Sequence, residues 1–232
     1  MKNSWLRFGP IYLVTALIFF LILSLGNKTV TVLAENSPLE RGRTIIIDAG
    51  HGGEDGGATS CSGRLESHIN LEIALRLDAL CHLLGYETRM IRTTDTSVYT
   101  EGNTIAARKA SDLRQRVRIA NKTEKGILIS IHQNTFSDSR YSGAQVFYAK
   151  TDGSKELANA LQQNFALMTP NNHRQAKEAS GVYLMEHMQN TAVLIECGFL
   201  SNYEEEMKLQ NPRYQKELCC SIISAVSKYI NP

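Results

Sequence analysis

Two histidines and two glutamates stand where they could act together on one substrate. His51, His132 and Glu196 each closely follow a short apolar run of the kind that forms a buried strand. Because the carboxyl ends of parallel strands meet at one edge of a sheet, these side chains are expected to converge there. Glu66, in the first turn of the next predicted helix, can reach the same crevice. Imidazoles and carboxylates bind metal ions and transfer protons, so this set predicts that kind of site.

Each of these residues also has a purely structural interpretation. A lone histidine is more often a surface or hydrogen-bonded residue than a metal ligand. An acidic residue such as Glu66 is favoured in the first turn of a helix for electrostatic reasons. Glu196 is harder to explain in this way, since an unpaired carboxylate beside a buried strand is costly. It needs a partner, and a metal-bound water would serve.

Two neighbouring features suggest other chemistry. The glycine-dense segment 50–57 follows a strand as a phosphate loop does, but Asp55 occupies the third glycine position and no Gly-Lys-Ser/Thr follows. Its glycines instead let the backbone bend tightly around His51. Cys197 would be a nucleophile only as a thiolate, which the adjacent Glu196 opposes, so a buried structural thiol is expected. The other histidines lie away from strand ends and are left unassigned: His68, His82, His173 and His187.

Apolar periodicity predicts the elements that position these groups. Short β-branched runs alternate with stretches of helical spacing, including a helix from Glu66 to a stop at Gly85 and another capped by Ser111. Asn211-Pro212 opens a final helix. Strands separated by helices favour parallel pairing with right-handed crossovers. The predicted fold class is therefore α/β, a three-layer domain with a central, mainly parallel sheet flanked by helices.

Composition and charge exclude several classes of protein. The 232 residues are 43% hydrophobic and 21% charged, which is typical of a folded domain and not of a disordered or fibrous chain. Three of the 25 basic residues and none of the 23 acidic residues lie in the first 34 positions, so the rest is nearly neutral. No nucleic-acid partner is expected from such a balance. The five cysteines form no C-x-x-C pair, which predicts free thiols.

The start of the chain predicts export. Residues 11–26 form an apolar run preceded by Lys2 and Arg7, which is typical of a signal peptide or of an N-terminal membrane anchor. The basic flank stays in the cytoplasm in either case, so the rest of the chain is expected outside it. The predicted organisation is a signal peptide or anchor, a linker and one catalytic domain, at residues 1–34, 35–42 and 43–232.

Several separated motifs resemble one enzyme family. They are residues 47–53, Glu66 with Asn70-Leu71, residues 130–134 and residues 193–202. In this order, over about residues 43–230, they resemble the zinc-dependent N-acetylmuramoyl-L-alanine amidases of the amidase 3 family. The short chain, the N-terminal apolar segment and an additional stretch from Thr100 to Lys109 resemble the germination-specific, spore-cortex members of that family.

The resemblance implies a site, a reaction and a location. It makes His51, Glu66 and His132 ligands of Zn²⁺, with Glu196 as the catalytic carboxylate and Asn134 as a substrate contact. The implied reaction hydrolyses the amide between the lactyl group of N-acetylmuramic acid and L-alanine in peptidoglycan, in spore cortex on the way to muramic lactam. The implied location is the cell-wall side of the cytoplasmic membrane, in the forespore envelope. An extracytoplasmic protein activator is expected as well.

Departures from the family pattern avoid the predicted ligands. Gly56 stands where proline is usual, Ser67 where lysine commonly follows the ligand glutamate, and Asn190-Thr191 where Met-Pro is common. A zinc peptidase acting within the stem peptide and a non-catalytic wall-binding protein are the alternatives. The peptidase needs a cationic clamp for a terminal carboxylate, from Arg92 or Arg174. The resemblance otherwise implies structural ion pairing for three residues: Arg92, Asp95 and Arg116.

Overall fold

A computed structural model describes residues 42–169 and 171–231 of the chain. The predicted signal peptide or anchor at 1–34, and all but the last residue of the predicted linker, lie outside these residues. Within the described ranges, none of the helices has the length and apolar character that a membrane crossing requires.

Six strands of the described residues form a single sheet. The strands are β1 (Thr44–Ala49), β2 (Glu87–Met90), β3 (Ile127–Asn134), β4 (Gln145–Tyr148), β5 (Lys177–Glu178) and β6 (Thr191–Phe199). Their order across the sheet is β2-β1-β3-β6-β4-β5. β1, β2, β3 and β6 run parallel, while β4 pairs antiparallel with β6. The structure therefore confirms a central, mainly parallel sheet.

In the part of the chain that the structure describes, six helices cover the two faces of this sheet. They are α1 (Glu66–Leu83), α2 (Ile105–Asn121), α3 (Ser154–Met168), α4 (Tyr183–Glu186), α5 (Tyr203–Leu209) and α6 (Pro212–Ile230). α6 packs against both α1 and α3 on one face, whereas α2 and α4 pack together over a core that includes Ile46 and Leu128. The three-layer α/β fold class is confirmed.

The two central strands align the residues of the predicted site. His132 of β3 lies opposite Glu196 of β6, and after a β-bulge Asn134 lies opposite Phe199. Paired residues share a face of the sheet, and so do residues two apart in one strand. His132, Asn134, Glu196 and Phe199 therefore point to the same side, and the bulge turns Phe199 towards it.

The predicted cap of α2 is wrong. The helix begins at Ile105, where the Thr104 side chain accepts a hydrogen bond from the N–H of Ala107. Ser111 lies inside the helix, and its hydroxyl accepts from the N–H groups of Thr100 and Glu101. The first six residues of the helix, 105–110, hold one large apolar side chain, Ile105, so they show no apolar periodicity from which a helix could be predicted.

A buried ion pair ties α2 to the end of β1. Arg116 Nη1 lies 2.5 Å from Asp48 Oδ1, and both side chains are almost fully buried. Ser130 donates to the other Asp48 oxygen at 2.7 Å, and Arg116 also binds Asp112 at 2.5 Å. Burial disfavours the charge on Asp48, but Arg116 and Ser130 outweigh it and hold its pKa below the usual range. Removing one partner of such a pair leaves a buried charge uncompensated.

Replacing Asp48 with Asn is therefore expected to lower the free energy of unfolding by roughly 3 kcal/mol, measured by urea denaturation at neutral pH. The control is Asp138→Asn, because Asp138 forms an ion pair with Arg140, whose side chain is exposed. Exposed pairs contribute little, so its unfolding midpoint is expected to match that of the wild type. Equal midpoints for the two variants would show that the buried pair does not stabilise the fold.

Candidate active site

His51, Glu66 and His132 converge at the carboxyl edge of the sheet. One ligand atom from each can be chosen so that all lie within 4.8 Å of one another. His51 follows β1, Glu66 is the first residue of α1 and His132 belongs to β3. Glu66 bridges the imidazoles, with Oε2 3.3 Å from His51 Nε2 and Oε1 3.0 Å from His132 Nδ1. Two imidazole nitrogens and a carboxylate facing one point form a donor set that suits a metal ion.

Close backbone packing requires glycine at two positions around this cluster. A Cβ atom on Gly50 would lie 2.2 Å from His132 Nε2. A Cβ on Gly57, where φ is +68°, would lie 2.6 Å from Glu66 Oε2 and 2.7 Å from His51 Cδ2. Any larger residue at either position would displace the cluster. The predicted role of the glycine-dense segment, bending tightly around His51, agrees with this geometry.

Hydrogen bonds fix Glu66 in its ionised form. Its carboxylate accepts from the backbone N–H groups of Ala58 at 3.0 Å and Gln133 at 3.1 Å, and from the Asn70 amide at 3.2 Å. Burial alone would favour the protonated acid, but His132 and His51 outweigh it and hold the pKa of Glu66 well below its usual range. The carboxylate is thus charged and preorganised before any ligand arrives.

The backbone of His51 is in the left-handed region, with φ +60°. This conformation is uncommon for a non-glycine residue. Two buried guanidiniums hold it: Arg116 donates to the His51 carbonyl at 2.7 Å, and Arg92 donates to the carbonyls of Ala49 at 2.7 Å and Gly50 at 3.0 Å. Arg92 therefore has the expected structural role, but it acts mainly by donating hydrogen bonds to carbonyl groups. Its ion pair with Asp95 is long, with 4.0 Å between Nη1 and Oδ1.

Asp55 orients the ring of His51. Its Oδ2 lies 3.0 Å from His51 Nδ1, and its other oxygen lies 2.8 Å from Lys109 Nζ at the start of α2. Burial opposes a charge on His51, but Asp55 and Glu66 outweigh it and raise the pKa of His51 to about 9. Asp55 therefore directs Nε2 of His51 towards Glu66. No pattern in the sequence points to this role for Asp55 or Lys109.

Glu196 lies beside the cluster in a different environment. Its Oε2 is buried and has no hydrogen-bond partner among the described residues. Burial, with a smaller contribution from the charge on Glu66, raises the pKa of Glu196 to about 7. A carboxyl that gains and loses a proton near neutral pH is suited to general acid–base chemistry. Glu66 and Glu196 thus differ in protonation although they occupy one crevice.

Three other residues considered in the sequence, Asn134, Cys197 and His68, differ in their surroundings. Asn134 is half-buried at the end of β3, on the same face as His132, and its substrate contact stays a prediction. Cys197 is fully buried, and burial raises the pKa of its thiol, which disfavours a nucleophilic thiolate. His68 binds the half-exposed Asp95 at 3.1 Å, apart from the cluster.

Comparison with known proteins places the chain in a family. The family model for N-acetylmuramoyl-L-alanine amidases, Amidase_3, matches residues 45–228. The chain belongs to this family. The amidase is 38% identical over 190 residues to the germination-specific N-acetylmuramoyl-L-alanine amidase of Bacillus subtilis, covering 81% of this chain and 80% of that protein. It is therefore an enzyme of the class that the sequence motifs indicated.

Two further relatives define what the amidase resembles. The structure of the CwlD amidase from Clostridioides difficile in complex with the GerS lipoprotein matches with a TM-score of 0.77 and 37% identity, covering 80% of this chain and 97% of that chain. LytC of Bacillus subtilis is 29% identical, covering 81% of this chain but 36% of its own length. The resemblance to germination-specific members of the family is thus confirmed.

The stability of the metal-free amidase should depend on the protonation of Glu196. The pKa of Glu196 is about 7 in the folded protein and 4.5 ordinarily. The contribution of protonated Glu196 to stability is therefore lost as the pH rises from 4.5 through 7. Glu196→Gln removes this titration. In EDTA at pH 8 the variant is expected to be more stable than the wild type by on the order of 3 kcal/mol, and the difference should shrink towards pH 5.

Urea unfolding of both proteins across this pH range makes the measurement. Glu124→Gln serves as the control because Glu124 is exposed, and it should leave the pH dependence unchanged. A stability difference between Glu196→Gln and the wild type that does not vary with pH would contradict the assigned environment of Glu196.

Proposed function

We propose that this amidase uses Zn²⁺, held by His51, Glu66 and His132, to hydrolyse the amide between the lactyl group of N-acetylmuramic acid and L-alanine in peptidoglycan. The observation that carries the proposal is the contrast, within one crevice, between three donor groups and a neighbouring carboxyl group. Three preorganised donor groups converge on one point, and a carboxyl with an unpartnered buried oxygen lies beside them. This is the division of roles that a hydrolytic metal site requires.

The residues present fit a zinc ion. Two imidazoles and one carboxylate are a common donor set of catalytic zinc and leave one of the four tetrahedral positions open. When bound, zinc supplies a Lewis acid that polarises the scissile carbonyl and acidifies water. The Asp55 carboxylate that binds His51 Nδ1 is the kind of outer partner that metal-binding histidines have.

Glu196 carries the proton in the proposed reaction. In its ionised form the carboxylate accepts a proton from the attacking water, and it then donates that proton to the amine of the departing L-alanine. The pKa of about 7 suits both steps near neutral pH. We assign substrate binding to Asn134, which lies on the same face two residues beyond His132. The products are a free lactyl carboxylate and a released stem peptide.

The relatives support the physiological setting that we propose. The 38% identity to a germination-specific amidase supports a role in spore cortex, where the stripped muramic acid is used for muramic lactam. The apolar run at residues 11–26 supports an exported, membrane-associated enzyme on the cell-wall side. We place the signal peptide or anchor at 1–34, the linker at 35–42 and the catalytic domain at 43–232. The GerS lipoprotein bound to the CwlD amidase supports an extracytoplasmic protein activator.

Mass spectrometry of digested peptidoglycan tests the function. Zinc-loaded enzyme is expected to release intact stem peptides that begin with L-alanine, and to leave the glycan strands uncut. EDTA should abolish the release and added zinc should restore it. Single amino acids released from the stem peptide, with L-alanine still attached to the glycan, would identify a zinc peptidase instead. Binding without any cleavage would identify a wall-binding protein.

Removal of one ligand should empty the metal site. His132→Ala is expected to purify with less than a tenth of the zinc of the wild type at neutral pH, as measured by elemental analysis. His82→Ala is the matched control, because His82 is more than half exposed on α1 and pairs with Asp78. Its zinc content should equal that of the wild type. Stoichiometric zinc in His132→Ala would exclude His132 as a ligand.

Replacement of the proton carrier should leave the metal in place. Glu196→Gln preserves shape but cannot accept a proton, so zinc is expected to remain while turnover falls by about 10²- to 10⁴-fold. Zinc content and rate are measured on the same preparation, with Glu124→Gln as the surface control. Near-normal turnover with full zinc would show that another group carries the proton, and loss of zinc would make Glu196 a ligand.

A further inference from the structure

A cationic aromatic platform borders the site on the side of β4. We define this platform as Arg174 with the rings of Phe136, Tyr141 and Phe199. The guanidinium carbon of Arg174 lies 4.7 Å from the centre of the Phe199 ring and 5.8 Å from that of Tyr141. Phe136 and Tyr141 pack together at 4.6 Å although their side chains remain 50% and 45% exposed. Exposed rings beside a crevice are available to a ligand.

The charge of Arg174 has no acidic partner within the described residues. Its Nε donates to the Ser142 carbonyl at 3.0 Å, and its Nη1 lies 3.4 Å from Gln145 Oε1. The carboxylate of the buried Glu205 does not pair with Arg174, because it accepts hydrogen bonds from the backbone N–H groups of Gly143 and Phe199. The guanidinium is thus held in position by neutral acceptors and aromatic faces, and it keeps donor capacity for an incoming anion.

The sheet register places this platform next to Glu196. Gln145, which Arg174 contacts, lies directly opposite Glu196 in the antiparallel pair of β4 and β6. Phe199, under the guanidinium, points to the same face as Glu196. Across the sheet the order is β1, β3, β6, β4, so His51 and Arg174 lie on opposite sides of Glu196.

This strand order predicts how the substrate is oriented in the crevice. Glu196 donates its proton to the leaving amine, so the departing peptide must lie on the Glu196 side of the cluster. Beyond Glu196 on that side lies Arg174. The first free carboxylate of a stem peptide is the α-carboxylate of its second residue, one residue past the L-alanine. An arginine fork matches a carboxylate with two parallel hydrogen bonds.

We infer that Arg174 is a specificity-determining residue that binds the α-carboxylate of the second stem-peptide residue, with Tyr141 and Phe199 supporting its guanidinium. The inference rests on the proposed function and deepens it, since it assigns the peptide to the β4 side of the crevice. The enzyme then distinguishes stem peptides whose second residue carries a carboxylate from those in which it is amidated to a carboxamide.

Two synthetic muropeptides that differ only in this group, carboxylate or carboxamide, test the inference. The zinc-loaded wild type is expected to cleave the carboxylate form with about tenfold higher kcat/KM, through a lower KM. In Arg174→Gln the ratio between the two substrates should fall to about one. Arg174→Lys, which keeps the charge without the fork, should give an intermediate ratio. Arg140→Gln removes an exposed charge from the neighbouring loop and should keep the wild-type ratio.

The results distinguish a failure of the role of Arg174 from a failure of the proposed function. Cleavage of both muropeptides by the wild type with equal kcat/KM overturns the role of Arg174 and leaves the amidase reaction standing. A similar loss on both substrates in Arg174→Gln also overturns it, because a merely structural arginine would give that result. Cleavage of neither muropeptide at the lactyl amide overturns the proposed function, and this inference with it.

Discussion

The whole site depends on how the carboxyl end of β1 is held. There the chain leaves the sheet, so the carbonyls of Ala49, Gly50 and His51 need hydrogen-bond donors that no strand supplies. Arg92 and Arg116 supply them from buried positions, and Asp48 with Asp112 compensates the charge of Arg116. A left-handed histidine costs on the order of 1 kcal/mol, and it persists because this network determines the backbone around it.

The two carboxyl groups of the candidate site lie in opposite environments and therefore differ in charge. Glu66 begins a helix that lies against the turn, where two backbone N–H groups and two imidazoles favour its ionised form. Glu196 lies one strand further across the sheet, where Oε2 meets no donor among the described residues. Opposite environments for two carboxyl groups in one crevice are a general way to assign distinct roles to chemically identical side chains.

Parallel topology made much of this predictable from the sequence. His51 follows β1, while His132 and Glu196 lie inside β3 and β6 towards their carboxyl ends. Because the carboxyl ends of parallel strands meet at one edge of the sheet, the strand assignments alone predicted that these side chains converge. The residues that orient His51 could not be predicted in this way. Asp55 and Lys109 are 54 positions apart in the sequence and meet only through the packing of α2. The misplaced start of α2 has a similar origin, since its first turns are held by Thr104 and by ion pairs such as Arg108 with Glu54, not by apolar periodicity.

We propose that His51, Glu66 and His132 form a preorganised site for one zinc ion, with Glu196 beside the ion and not bound to it. Anomalous diffraction at the zinc absorption edge, from crystals of the zinc-loaded enzyme, tests this most directly. A single strong peak is expected within bonding distance of His51 Nε2, His132 Nδ1 and a Glu66 oxygen. Zinc bonded to Glu196, or a peak at His68 and Asp95 with the three-residue cluster empty, would contradict it.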